Sequence, residues 1–262
     1  MRQLLPYMLK GTVISISGKG GVGKTTIAAL LLRALSGAGR SILMVDADPA
    51  TNLPDAIGTH IESTVGMVAT RLKKEAQSDE LPPSMTKREL LELWIMETLT
   101  ETQTFDLLVM GRTEGEGCYC MVNNLLTNIL DVLISNYDLV IMDMEPGLEH
   151  LSRRTDHDVD IMFIVTEPSK MSFTTAERIR DLTKEVHIDV RRLLLIGNRF
   201  PSGTEKVVIE QSRSTGMELA GVVPVDPNIV SYSVEGKSLL ELPDNSPSVI
   251  ALDEIVKRVG IK

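Results

Sequence analysis

Seven runs dominated by valine, isoleucine and leucine punctuate the chain. They are TVISIS (12–17), SILMVD (41–46), FDLLVMG (105–111), YDLVIMD (137–143), DIMFIVT (160–166), RRLLLIGN (191–198) and MELAGVVP (217–224). Their hydrophobicity is continuous rather than alternating. A strand with one wet face alternates apolar and polar residues, whereas a continuously apolar strand must be covered on both faces, the situation of a parallel sheet between two helical layers. Stretches of helical period, 24–36, 121–135, 172–186, 205–214 and 248–259, lie between these runs or close the chain. The alternation predicts an α/β fold: a doubly wound, mostly parallel sheet of about seven to eight strands flanked by helices.

At 262 residues the chain is long for one domain, but α/β folds of this size form single units, and one domain over 1–262 is expected. Region 63–100 carries two helical patterns interrupted by Pro82 and Pro83, which reads as a helical insertion between two strands. Aromatics make up only 3% of the residues against 43% for all hydrophobics, so the core must be aliphatic. A net charge of −9 argues against a nucleic-acid partner, which calls for a basic face. The opening MRQLLPYMLKGTVISISG lacks the apolar core and cleavage site of a secretory signal, and no run reaches the length of a membrane span. A cytoplasmic protein without membrane or nucleic-acid partners is expected.

The chemistry begins at GKGGVGKTT, which directly follows the first apolar run and opens the first helical stretch. It satisfies the phosphate-loop pattern G-x-x-x-x-G-K-[ST] in the strand, loop and helix context that the pattern needs. Gly18, Gly20, Gly21, Val22 and Gly23 form the turn whose amides face a phosphate, and the helix beginning at Lys24, Thr25 and Thr26 adds the partial positive charge of its N-terminus. Lys24 is the candidate for the β- and γ-phosphates of ATP or ADP, and Thr25 for Mg²⁺. Asp143 closes an apolar run, and a carboxylate there is costly unless it meets a cation, so it is a second candidate Mg²⁺ group. Asp48, at the end of the second run and followed by Pro49, faces the crevice at the carboxyl ends of such strands or else caps the next helix. Asp46 joins the same polar cluster.

A second lysine, Lys19, makes the loop GKGGxGKT, which resembles the deviant Walker A motif of MinD, ParA and NifH-type ATPases. The resemblance implies a P-loop NTPase fold and a homodimer formed with nucleotide, with Lys19 reaching the partner's nucleotide as a catalytic residue alongside Lys24 and Asp48. It implies that Asp48 positions the attacking water and approaches Mg²⁺, that Gly147 offers its amide to the γ-phosphate in a switch segment over 143–153, and that Asn198, Arg199, Pro224, Val225 and Asp226 hold the adenine.

Both cysteines of the chain, Cys118 and Cys120, lie in GRTEGEGCYCMVNNLLTNIL (111–130). This run, with DMEPGLEHLSRRT (143–155), resembles the CooC family of ATPases that mature nickel enzymes. Pro146 departs from the small residue expected there, and residues 1–10 extend ahead of the first strand. The resemblance implies nickel as cargo and a nickel-dependent carbon monoxide dehydrogenase or acetyl-CoA synthase as client. Two thiolates are half of a four-donor Ni²⁺ or Zn²⁺ site, so a symmetric dimer would complete a site of four cysteines on its axis. Three other readings stay open: two buried core cysteines, a redox dithiol, and ligands of an iron-sulfur cluster in a carrier ATPase. A positioning ATPase of ParA or MinD type is the alternative that leaves the cysteines unused. His60, His150, His157 and His187 are scattered without ligand spacing, and Glu149 and His150 fall in the switch segment.

Overall fold

The computed structural model describes residues 11–37, 39–78, 86–112, 132–144, 159–185 and 188–261. Its centre is an eight-stranded sheet made of β1 (Thr12–Gly18), β2 (Ile42–Asp46), β3 (Thr100–Glu101), β4 (Asp106–Val109), β5 (Leu139–Asp143), β6 (Val159–Thr166), β7 (Val190–Phe200) and β8 (Glu218–Pro224). The order across the sheet is β3-β4-β2-β5-β1-β6-β7-β8. Neighbours are parallel throughout except β3 on β4, which is antiparallel. The seven apolar runs supply every parallel strand. The eighth strand is two residues long, too short to carry a period that sequence could reveal.

The central strands β1, β2, β5 and β6 are buried on both faces, whereas β8 at the edge is only partly covered. One layer packs α1 (Lys24–Leu35), α2 (Leu53–Ile57) and α8 (Pro247–Val259) against Ile14, Ile16, Met44, Ile141, Phe163, Val165 and Ile196. The opposite layer packs α3 (Val65–Ser78), α4 (Lys87–Thr98) and α5 (Lys170–Glu185) against Val13, Val45, Val140, Met142, Met162 and Ile164. The remaining helices are α6 (Glu205–Thr215) and α7 (Pro227–Glu235). Two short helices, α2 and α7, lie outside the five stretches of helical period. Both have proline in the first turn, and α7 has Asp226 as its N-cap, accepting from the Asn228 amide at 2.9 Å. Of the helix expected over 121–135, only 132–135 falls within the described residues, and 132–134 is helical.

Residues 63–100 do form two helices, α3 and α4, although 79–85 lie outside the described residues. The start of α4 is set by a capping box: Thr86 Oγ1 accepts from the Glu89 amide (3.2 Å), and Glu89 Oε2 accepts from the Thr86 amide (2.8 Å). Trp94 of α4 is buried, and the Arg71 guanidinium of α3 stands 4.0 Å from its ring centre. Leu90, Leu91, Trp94 and Ile95 join the same core cluster as Val45 and Leu108 of the sheet.

β1 lies at the switch point of this topology. It lies between β5 and β6; its own connection runs through α1 past β5 to β2, while the chain after β5 goes to β6 on the other side, so the carboxyl end of β1 opens a crevice between diverging connections. Main-chain bonds tie the rim of that crevice together: Ala47 N to Asp143 O (2.9 Å), Met144 N to Ile16 O (3.0 Å) and Met110 N to Asp46 O (2.8 Å).

Because α4 shares the core of the sheet, Trp94→Ala is expected to cost about 3–5 kcal/mol, the range for emptying a buried aromatic site. Urea unfolding followed by both fluorescence-independent circular dichroism and hydrodynamic radius should show one transition shifted to lower urea. Two separated transitions would mean that the insertion is a unit of its own.

Candidate nucleotide-binding site

β1 ends at Gly18, and the loop to α1 follows within five residues. A Cβ on Gly18 would lie 2.5 Å from the Val165 carbonyl, and one on Gly23 would lie 2.4 Å from Asn198 Nδ2, at a positive φ of 90°. Neither position has room for a side chain, so the backbone runs against β6 and the tip of β7. Val22 is fully buried in the core and pins the middle of the loop, whereas Gly20 and Gly21 are exposed. Gly23 is the N-cap of α1 and supplies no side-chain cap, and the first turn has no acidic residue. The amides of Lys24, Thr25 and Thr26 therefore begin the helix without a capping side chain, the arrangement that accepts an anion.

Around this N-terminus the sheet collects carboxylates. Asp46 and Asp143 are opposite one another in the β2–β5 register, and both are buried. Thr25 Oγ1 donates to Asp143 Oδ2 at 2.6 Å, while Asp143 Oδ1 is buried with no hydrogen-bond partner. Asp46 is better satisfied: Oδ1 accepts from the Asp48 amide (3.1 Å) and Oδ2 from the Leu53 amide (3.0 Å). Burial pushes Asp143 up to about 7; its bond from Thr25 and the charge of Lys24 oppose the rise, and the charges of Asp46 and Asp48 add to it. Burial also pushes Asp46 up to about 6, against the two backbone amides it accepts from. Lys24 is itself buried beside them. An unpaired buried carboxylate oxygen next to a threonine hydroxyl is an all-oxygen donor set with unused capacity, which fits a hard cation such as Mg²⁺.

The other candidates fall into three groups. Asp48 is at the rim, where its Oδ1 accepts from the Ala50 amide (2.9 Å); it turns the chain locally, and the cap of α2 is Asn52. Lys19 Nζ lies 3.4 Å from Glu167 Oε1, a pair whose side chains are 35% and 28% exposed. Glu167 was not singled out in sequence, yet its signal was present: like Asp48, it is an acid at the end of a strand and is followed by proline. Asn198, also buried, donates from Nδ2 to the Val22 carbonyl (2.8 Å), and Arg199 donates from Nη1 to the Gly21 carbonyl (3.0 Å). Two of the five residues expected at adenine, Asn198 and Arg199, thus touch the phosphate loop.

Asp226 is engaged elsewhere. Besides capping α7, its Oδ2 accepts from Ser246 Oγ (2.5 Å), Ser248 N (3.1 Å) and Ser248 Oγ (2.6 Å). Burial works to raise its carboxyl, but these bonds outweigh it and hold the group below the ordinary value. The three bonds to Oδ2 join the start of α7 to the start of α8. Pro224 ends β8, and Val225 beside it is exposed. Cys118, Cys120 and Gly147 lie outside the described residues, as do Glu149, His150, His157 and His187. Among the described residues no group of three or more histidine, cysteine, aspartate or glutamate side chains is placed to hold a metal ion, and no helix is long and apolar enough to cross a membrane.

A glycine-rich loop between the central parallel strand and an uncapped helix, with a buried aspartate bound to the helix threonine, defines a P-loop nucleotide-binding protein. The chain belongs to the ParA family of P-loop NTPases: the family profile described as NUBPL iron-transfer P-loop NTPase matches residues 8–260. It is 43% identical over 247 residues to an uncharacterised ATP-binding protein of Methanocaldococcus jannaschii, covering 94% of this chain and 98% of that one. It is also 30% identical over 260 residues to the carbon monoxide dehydrogenase accessory protein CooC of Rhodospirillum rubrum, covering 94% and 97%. Among solved structures, the MinD cell division protein of Aquifex aeolicus shares the fold with a TM-score of 0.68 at 21% identity, over 96% of this chain and 98% of that one.

The raised carboxyls make stability depend on pH. Their folded values, about 7 and about 6, exceed the ordinary 3.8, so the folded state binds protons more tightly than the unfolded chain between those limits. The stabilising contribution is complete below 3.8 and is lost as pH rises through about 6 and 7. In nucleotide-free and metal-free protein, Asp143→Asn is expected to raise the urea midpoint at pH 8, with the advantage shrinking toward pH 5. A variant that is less stable than wild type at pH 8 would contradict the burial argument.

Proposed function

We propose that this chain is a Mg²⁺-dependent ATPase of one domain that dimerises with nucleotide, binds nickel through Cys118 and Cys120, and assists nickel insertion into a carbon monoxide dehydrogenase or acetyl-CoA synthase in the cytoplasm. The observation that carries the ATPase half is the bond from Thr25 to Asp143 beside the uncapped start of α1, with the second Asp143 oxygen unpaired. Thr25, Asp48 and Asp143 would hold Mg²⁺, partly through water, and the ion would neutralise charge on the β- and γ-phosphates. Lys24 lies at the helix start to bind those phosphates. Gly147 would offer its amide to the γ-phosphate, and Asp48, at the rim, would orient the attacking water.

Lys19 bears on dimerisation. A partly exposed ion pair of this kind is worth only about 0–1 kcal/mol, so little holds Lys19 on Glu167. Release costs little when a second subunit presents its nucleotide, and there Lys19 would stabilise phosphate charge.

The nickel half rests on the C-x-C spacing of the chain's only two cysteines and on the likeness to the Rhodospirillum accessory protein along nearly the whole chain. Each subunit gives two thiolates, and closure of the dimer around nucleotide would bring four together; opening would loosen the metal. An iron-sulfur carrier is the second reading, favoured by the iron-transfer description of the matching family profile and by the same count of four cysteines per dimer. Likeness to MinD is a likeness of fold, and the net charge of −9 argues against a role on DNA.

Two measurements test this. Lys24→Ala should lower ATP hydrolysis by about a hundredfold or more, the scale for losing a positioned group that stabilises transition-state charge; hydrolysis at the wild-type rate would remove the phosphate site. Ni²⁺ titration of wild type and of the Cys118→Ser/Cys120→Ser variant, each with and without ADP and with oligomeric state followed, should show one tight Ni²⁺ per dimer in wild type alone. Tight binding retained in the variant would overturn the thiolate site, and a brown anaerobic preparation with broad visible absorption would transfer the assignment to a cluster.

A further inference from the structure

The tip of β7 departs from regular pairing where it meets the phosphate loop. Asn198 pairs with Val223 of β8 and Phe200 with Pro224, so Arg199 is an extra residue bulged out of the ladder. Its φ is 58°, in the left-handed region that an arginine adopts at a cost. What maintains it is local. Phe200 is buried and packs edge-on against Phe173 at 6.4 Å, and the Arg199 amide donates to Asn198 Oδ1 at 3.0 Å. The bulge re-aims two consecutive side chains at two consecutive carbonyls, Arg199 at Gly21 and Asn198 at Val22.

Holding those carbonyls has a geometric effect. The chain has no cis peptide among its described residues, and in a trans peptide the N–H points opposite to the C=O. With the Gly21 and Val22 carbonyls directed at β7, the amides of Val22 and Gly23 face away from it. That of Val22 closes the loop on the Lys19 carbonyl at 3.4 Å. Gly23 is where α1 starts, and the space its Cβ would need is taken by Asn198. The peptide planes that follow Gly21 and Val22 are therefore held from outside the loop, in addition to the Lys19 bond within it, and for the Asn198 bond from 176 residues away.

We propose that Arg199, with Asn198, is a positioning residue of the phosphate loop: it holds the Gly21 and Val22 carbonyls outward so that the loop is set to receive phosphate before any base is bound. This rests on the nucleotide-binding reading and changes what these residues do within it. Asn198 keeps one Nδ2 hydrogen and one Oδ1 lone pair after its two bonds, enough to meet a purine edge as well. One amide then serves both base and loop, and the strained bulge is the structure that allows it.

The test separates phosphate from base. Binding of ATP and of inorganic tripolyphosphate, which has no base, is measured by calorimetry with Mg²⁺ for wild type, Arg199→Ala and Arg199→Gly, together with melting temperature. Both variants are expected to lose affinity for the two ligands in parallel, by about tenfold, the scale of one hydrogen bond from a charged donor. Arg199→Gly relaxes the left-handed backbone, so its melting temperature should hold or rise while its affinity falls, a combination that a merely structural role would not produce. Three results overturn the proposal: affinity lost for ATP but kept for tripolyphosphate, wild type that binds ATP but not tripolyphosphate, or melting temperature falling with affinity in Arg199→Gly. Wild type that binds neither ligand would instead remove the nucleotide site itself.

Discussion

Asp143 is a carboxylate placed where a carboxylate is expensive, at the end of a central strand, buried, with one oxygen held by Thr25 and the other by nothing. The sheet tolerates it because the neighbouring groups share the burden. Lys24 opposes the proton that burial would add, and Asp46, opposite in the β2–β5 register, has turned both its oxygens to backbone amides. Loop, helix and three strand ends are arranged around one unsatisfied oxygen. A positive charge taken up there would satisfy the oxygen that the fold leaves unpaired.

The strands were legible because burial on two faces leaves a clear trace, an apolar run without alternation, and the phosphate loop because of its glycine pattern, in which Gly18 and Gly23 sit where a side chain has no room. Less legible was who holds whom. Asn198 and Arg199 follow a strand, as expected of base-binding groups, but no local pattern states that their side chains reach back to Gly21 and Val22. Nor does the sequence state the partners of the Asp226 carboxylate, Asn228, Ser246 and Ser248, which are fixed only when α7 and α8 come together. Glu167 had a signal that went unused, an acid and a proline at a strand's end. β3 offered none, being two residues long.

Within such a fold the chemistry common to a family and the chemistry that separates its members occupy different stretches of chain. Loop, threonine and buried aspartate are the shared equipment of a P-loop NTPase. Both cysteines, on which the proposed metal chemistry rests, lie between Gly111 and Leu130 in the sequence, after β4 and Met110, whose amide donates to the Asp46 carbonyl. Fold alone does not set what such a protein acts on, since the same scaffold carries several functions.

The helix that begins at the phosphate loop has its main packing partner far along the chain. Leu31 and Leu35 of α1 share a core cluster with Val249, Leu252 and Val256 of α8, and Arg33 donates to the carbonyls of Leu240 and Leu242 and to Asp244. During synthesis, residues 18–35 therefore emerge more than two hundred residues before the segment that completes their apolar layer. Until then a strongly apolar helix has one face uncovered, and exposed apolar surface of that kind favours aggregation over folding. A nucleotide site encoded near the start of the chain is thus among the last parts of the molecule to be finished.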